Sequence, residues 1–411
     1  MQEMFCKLPT SVFCSVFSDW LSIKDLGRLD CAYCNVKSRP AHLQSIRTKE
    51  FVFKNSVDVS NKRLLLWLLA RKMKAASVNF GVSTGSSLHV QPLSDYLRHF
   101  GDSVRTVHFQ AAQSTQASQS IAISGQTTHT MHLVAIHCRK LKILRCTSMC
   151  LEPALREVLW CNSKLEELWL SRIPNYGTQI FDDVSLQSLK ILSATDSTAK
   201  MTGLWQAAFS DCLVKLQLSC VDDANLLVLL ATCAGLRSLN LSSVKLSDNV
   251  VEQIAPLRPS LLHLNISGNI AVTDAGIQRL ASRLQGLRSI SIEGCTSLTD
   301  ASLAHLAEHC GSTLEVLHAE IKNQNVEAWE RFANKFTALK TLVISCKDRV
   351  MCLEGATFAL LQGCPSLRTM VVDTQESVCV TSRKFIALYR PDLTIQVYSA
   401  AYLYDVVCMP V

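Results

Sequence analysis

The sequence predicts an α/β solenoid: a parallel sheet along one side, helices along the other, one strand and one helix per repeat. Three observations carry this. First, a six-residue pattern recurs as Leu236-Arg-Ser-Leu239-Asn-Leu241, Leu261-Leu-His-Leu264-Asn-Ile266, Leu287-Arg-Ser-Ile290-Ser-Ile292 and Leu314-Glu-Val-Leu317-His-Ala319, with steps of 25, 26 and 27 residues. Second, helical periods lie between the copies, as in Val272-Thr-Asp-Ala-Gly-Ile277 and Leu298-Thr-Asp-Ala-Ser-Leu303. Third, hydrophobic residues make up 48% of the 411-residue chain and charged residues only 18%, which suits repeats buried on both sides by their neighbours.

A fixed period of this length is the mark of a leucine-rich-repeat solenoid, a horseshoe with its parallel sheet on the concave face and its helices on the convex face. Residues 1–45 do not carry the repeat. Val12, Phe13, Val16, Phe17 and Trp20-Leu21 recur at helical steps after Leu8-Pro9. Ser22-Ile-Lys-Asp25 reads as a capping box for a second helix carrying Leu26 and Leu29, and a short third helix through Leu43 and Ile46 follows Arg39-Pro40.

The repeats then begin, with strands expected at Phe51–Phe53, Val78–Phe80 and Val104–Phe109. Further strands start at Leu141, Leu165, Leu189, Leu213, Leu236, Leu261, Leu287, Leu314, Leu339, Leu367 and Leu393, about 14 repeats over 46–399. Pattern positions one, four and six point into the core; positions three, five and seven line the concave face. Ser247, Thr273 and Thr299, each followed by Asp, are expected helix N-caps. One interval breaks the period: Val104 to Leu141 spans 37 residues, and its Gln/Ser/Thr-rich excess at 110–130 is expected to be an inserted loop. Residues 400–411 are expected to cap the last repeat.

Eighteen cysteines would suit a disulfide scaffold, but Cys138, Cys161, Cys212, Cys233, Cys310 and Cys364 recur with the repeat. They are expected to be reduced core residues of a protein of the cytosol or nucleus. The longest apolar run, Leu64–Ala70, is far below the ~20 residues of a membrane span. Residues 1–160 hold 20 Lys+Arg against 10 Asp+Glu, and the remainder 21 against 24, so the basic excess is N-terminal. No dense Lys/Arg run with interleaved aromatics points to nucleic acid. Cys31-Ala-Tyr-Cys34 and the group His129, His132, His137, Cys138 are too sparse in ligands to nominate a metal. No phosphate loop, nucleophile elbow or zinc-protease motif is present, so the chain is expected to be non-enzymatic, with no cofactor.

Leu8-Pro9, Val12/Phe13, Val16-Phe17, Trp20-Leu21, Asp25-Leu26, Leu29 and Cys34 together resemble an F-box. With the Cys-containing repeats behind it, the chain resembles the F-box/leucine-rich-repeat substrate receptors of SCF-type cullin–RING ubiquitin ligases. The resemblance implies that Leu8, Pro9, Val12, Phe13, Val16, Phe17, Trp20 and Leu26 bind the ligase's linker subunit, which joins the cullin, while the horseshoe holds a protein substrate. Read from the strand pattern alone, the substrate face would carry Arg145, Trp169, Lys215, Gln217, Asn240, His263 and His318. Trp169 and Arg145 are its strongest anchors, since aromatics and Arg dominate interface energetics. An interaction scaffold without a ligase, its N-terminus only a cap, and a GTPase-activating solenoid are the alternatives.

Overall fold

A computed structural model describes residues 12, 18, 21–32, 39–47, 51–82, 90–111, 117–147, 152–172, 181, 184–195, 211–320, 326–345, 359–360, 362–373 and 393–398. The chain is compact in two units, Met1–Leu213 and Val214–Val411. Leu8, Pro9, Phe13, Val16, Phe17, Trp20, Cys34 and the 400–411 tail lie outside the described residues.

In the first unit, α1 (Ile23–Ala32) and α2 (Arg39–Ile46) precede the repeats. The capping box at the start of α1 is reciprocal: the Ser22 N–H reaches the Asp25 carboxylate at 3.2 Å, and the Asp25 N–H donates to the Ser22 hydroxyl at 3.2 Å. The repeats supply β1 (Val52–Asp58), α3 (Lys62–Arg71), β2 (Lys74–Val82), α4 (Val90–Phe100), β3 (Thr106–Ala111), α5 (Ala117–His137), β4 (Ile143–Thr147), α6 (Glu152–Cys161), β5 (Glu167–Ser171) and β6 (Ile191–Thr195). Each strand pairs in parallel with the next; from β2 onward the pairs are in register at the repeat's Leu pattern, whereas β1 shifts register between Phe53 and Ser56.

α5 corrects one expectation. The polar excess is no loop from residue 117 onward but the N-terminal part of a 21-residue helix. Its burial explains why. Thr127, Thr130, Met131 and Val134 recur at helical steps and are all buried, so two threonines stand where the other repeats place aliphatics.

In the second unit, β7 (Lys215–Leu218), α7 (Asp223–Thr232), β8 (Ser238–Asn240), α8 (Asp248–Leu257), β9 (His263–Asn265), α9 (Asp274–Arg283), β10 (Ser289–Ser291), α10 (Asp300–Cys310), β11 (Val316–Glu320), α11 (Val326–Ala333) and β12 (Thr341–Ser345) alternate, and β13 (Thr369–Asp373) and β14 (Thr394–Tyr398) extend the sheet. Again all seven neighbouring strand pairs are parallel. Positions one, four and six fill the core as predicted; Leu236, Leu239 and Leu241 are at most 1% exposed.

Local chemistry sets strand length. The Asn240 side chain accepts the Ser242 N–H at 3.0 Å, and Asn265 accepts the Ser267 N–H at 2.9 Å. These Asx turns end β8 and β9 after three residues. At the next pattern position but one, position eight, the backbone turns left-handed at Arg172, Ser243, Gly268 and Gly294, with φ of 52°, 59°, 74° and 69°. Glycine is needed at Gly268, where a Cβ would stand 2.6 Å from Ser243 Oγ. Buried Asn269 then stitches two repeats: its amide donates to the Leu241 and Ile266 carbonyls at 2.9 and 2.7 Å and its oxygen accepts the Leu246 N–H at 2.9 Å.

The predicted N-caps act mostly across repeats. Thr299 does accept the Ala301 N–H, but Ser247 and Thr273 make no such bond within their own helices. Instead the Thr273 N–H and hydroxyl both donate to Asp248, at 2.8 and 2.5 Å, and Thr299 grips Asp274 in the same way at 2.9 and 2.6 Å. Each carboxylate sits at the start of one helix, where the dipole favours it, and is held by the following repeat. Cys138, Cys233, Cys310 and Cys364 are buried at helix ends, whereas Cys161 is half-buried and Cys212 exposed, so these two are not core residues. Two of the buried ones seat their thiols on carbonyls of the preceding repeat's helix end, Cys310 on Leu284 and Cys364 on Ala333, each at 3.4 Å.

Candidate recognition face

Position five of the first unit brings together one row of side chains. Asn79, His108, Arg145, Trp169 and Ser193 stand in register on five adjacent strands, on the sheet face opposite the helices. Neighbouring strands are roughly 4.8 Å apart, which sets these side chains side by side. The Arg145 guanidinium lies over the Trp169 ring at 5.4 Å from its centroid. Glu167, two residues before Trp169, closes the group: it accepts the indole N–H at 3.0 Å and lies 3.6 Å from Arg145. Arg145 keeps about half of its side chain in solvent, 48%, and Trp169 is half-buried.

The arrangement is a preorganised platform. Packing on the indole and the Glu167 carboxylate hold the guanidinium in place, so less side-chain entropy is lost when a partner binds. Beside it, burial and then the Arg145 charge both lower the His108 pKa, which keeps the imidazole neutral and able to accept a hydrogen bond. Glu167 and His108 complete the site and were absent from the expected contacts. The signal was in the sequence, since Glu167 occupies position three and His108 position five of their own strands.

The second unit carries the other expected contacts in two rows. Lys215, Ser238 and His263 share position three on β7, β8 and β9. His263 has a lowered pKa, mainly through burial and then through Arg288, although Glu315 opposes it. Gln217 and Asn240 share position five, and the Asn240 oxygen is already used by its Asx turn. His318 is a correction. It lies on the expected face but is only 5% exposed, with Nε2 at 2.8 Å from Glu293 Oε2, because the face fills in around β11 and β12: Val343 and Ser345 beside it are buried too. Its side chain is part of the packed wall and is not presented to a partner.

Two of the expected linker-subunit contacts are described. Val12 is 44% exposed. Leu26 is buried at 2%, on the inner side of amphipathic α1, and so is corrected from a docking residue to one that holds the N-terminal segment together. That segment is tied to the repeats by Asn55, whose amide donates to the Leu21 carbonyl at 3.1 Å, and by Arg47, which reaches the Ala70 carbonyl at 3.4 Å.

His132 on α5 pairs with Glu157 on α6, so it serves to join two helices. Burial pushes the Cys138 thiol up to about 12, which makes it a poor nucleophile and metal ligand. Among the described residues, no group of three His, Cys, Asp or Glu side chains stands together as a metal site, and no helix is long and apolar enough to cross a membrane.

These features define the class: the chain has the leucine-rich-repeat fold, with polar side chains displayed along the open face of a parallel sheet. No protein-family model matches the sequence, and no curated protein is found similar to it. Among solved structures, a chain of the yeast Rad7 and Elc1 complex aligns with a TM-score of 0.53 at 16% identity, over 92% of this chain and 98% of that one. The leucine-rich repeat-containing protein LegL7 from Legionella pneumophila aligns with a TM-score of 0.39 at 10% identity, over 81% of this chain and 96% of that one.

Proposed function

We propose that this protein is a non-enzymatic substrate-recognition adaptor of an SCF-type cullin–RING ubiquitin ligase, a protein of the cytosol or nucleus. The open sheet face around Arg145, Glu167 and Trp169 would hold a protein substrate, and residues 1–45 would dock the linker subunit through Leu8, Pro9, Val12, Phe13, Val16, Phe17 and Trp20. The supporting observation is the preassembled Arg145–Trp169–Glu167 group on an open sheet face. Ubiquitin transfer would then follow from proximity supplied in trans. The solved complex of Rad7 with Elc1 is in keeping with this, being a structure of the same fold with a protein partner.

A second reading, an interaction scaffold without ligase association, draws on the burial of Leu26 and the ties from Asn55 and Arg47, which are what a simple cap on the first repeat needs. Affinity purification of the intact chain separates the two. The adaptor retains the linker subunit and cullin, and loses both in a Leu8→Asp/Val12→Asp variant while keeping the substrate. Trp169→Ala/Arg145→Ala does the opposite, weakening substrate capture by about tenfold or more for two hot-spot side chains. Absence of linker subunit from the intact chain's partners would leave only the scaffold.

A further inference from the structure

A second surface lies on the helix side of the first unit. Trp160 is 70% exposed and Ile136 is 49% exposed. Each stands five residues before its repeat's Leu, Leu165 and Leu141, so they occupy the same place near the ends of neighbouring α6 and α5. These helices pack directly against each other, at a usual separation of about 8–10 Å, so the exposed indole and isoleucine stand at equivalent places on adjoining helices. A scattered exposed aliphatic side chain is ordinary, but a largely exposed Trp next to a second apolar residue marks a contact site.

This pair has a cationic border. Exposed Arg139, Lys140 and Lys164 occupy the turns that follow the two helices. Beyond them, position two of four consecutive strand patterns holds Arg105, Lys142, Glu166 and Lys190. The Lys142, Glu166 and Lys190 N–H groups each donate to the preceding member's carbonyl, at 2.7, 2.8 and 2.8 Å. Glu166 is shared by Lys142 and Lys190 at 2.5 and 2.8 Å, which leaves these three side chains with an excess positive charge and more than half of each lysine in solvent. Asp102 faces Lys140 at 3.4 Å, and Glu157, one turn before Trp160 on α6, is taken up by His132 of α5. Part of this charge serves the fold, as when Arg139 Nε donates to the Ile136 carbonyl at the end of α5. The lysines at position two share one carboxylate between them, so their pairing across the repeats neutralises only one of the two charges.

We infer that this edge of the first unit binds an acidic protein segment that inserts an apolar side chain between Trp160 and Ile136 and lays its carboxylates along Lys140, Lys142, Lys164 and Lys190. The surface is separate from the Arg145–Trp169 platform, which is on the opposite face of the sheet, and does not depend on the adaptor reading. A single-stranded nucleic acid fits less well, because it is bound by several aromatics on which successive bases stack, and the position-two row has none.

The test uses the full chain and a fluorescein-labelled peptide of alternating Glu-Glu-Phe triplets, with an all-Glu peptide of equal length as control, followed by fluorescence anisotropy over a salt series. The Phe-containing peptide is expected to bind more tightly than all-Glu and to weaken with salt. Trp160→Ala is expected to cost about 30-fold in affinity, as the loss of a central aromatic anchor does. Lys142→Glu/Lys190→Glu is expected to weaken binding and to reduce its salt dependence, and Trp169→Ala leaves binding unchanged. Trp160 is exposed, so its variant keeps the wild-type melting temperature and separates loss of contact from loss of fold. Equal binding by wild type and Trp160→Ala, a loss as large in Trp169→Ala, or displacement of the peptide by poly(U) at lower concentration would each overturn the inference.

Discussion

Position eight shows how a single residue's backbone carries a cost that its neighbours avoid. Gly268 and Gly294 take the left-handed turn freely, whereas Ser243 and Arg172 take it with a Cβ. A left-handed residue other than glycine is disfavoured by roughly 1–2 kcal/mol. Ser243→Gly should therefore stabilise the protein by up to about 1 kcal/mol. A denaturant midpoint that does not rise would show that the serine is held by something stronger. Asp300 makes the complementary case for charge. Burial and then the Asp274 carboxylate raise its pKa, and Oδ2 is buried without a hydrogen-bond partner. A carboxyl with a raised native pKa destabilises the fold where it must ionise, so its cost sets in as pH rises past the unfolded value and is complete above the native one. Asp300→Asn should raise the melting temperature at neutral pH, and the gain should vanish as acid protonates the wild-type side chain. Melting curves for both proteins across that range provide the check.

Elements were legible in proportion to how regular their chemistry is. The strand starts, the capping box of α1 and the core positions follow from Leu spacing and cap residues, because period and burial are the same fact seen from two sides. The Asx turns at Asn240 and Asn265 were present in the same letters, yet reading Asn240 as a contact missed that a side chain spent on its own backbone has less to offer a partner. α5 was misread because its buried face includes Thr127 and Thr130, and composition alone counts threonine as polar. The clamp between α8 and α9 was not legible at all. Asp248 reaches Thr273 across the repeat, and the space for it exists because Gly276 has no side chain: a Cβ there would lie 2.3 Å from Asp248 Oδ1. Gly276→Ala should consequently destabilise by about 1–3 kcal/mol despite alanine's better helix propensity, the cost of overpacking outweighing about 1 kcal/mol of propensity. Thermal unfolding of the variant measures which term wins.

For the whole molecule, the period identified the architecture but concealed the division between Leu213 and Val214. The Leu steps on either side of it, 24 and 23 residues, are indistinguishable from those within a unit. The candidate site was half legible for a related reason. Pattern position predicts which face a side chain occupies, and it placed Arg145 and Trp169 together correctly. It does not report how deep that face is, so His318 was expected to be open and is enclosed; Leu26, given a docking role by the F-box resemblance and not by the repeat, packs inward. Exposure on the helix side is invisible to the strand pattern altogether, which is why Trp160 drew no notice.

The carboxylate ladder of the second unit gives the solenoid a direction. Every donor comes from the following repeat: Ser247 reaches back to Asp223 at 3.3 Å, Thr273 to Asp248 and Thr299 to Asp274. Peeling a repeat from the C-terminal side therefore strips a carboxylate, half-buried at Asp248 and Asp274, of its donors, whereas peeling from the N-terminal side strands neutral groups, a hydroxyl and, at Thr273 and Thr299, a backbone N–H. The first is the dearer loss, because an unpaired charge tolerates burial far less than an unpaired hydroxyl does. These repeats should open like a zipper with a preferred end, fraying from α7 toward α10 more readily than in reverse.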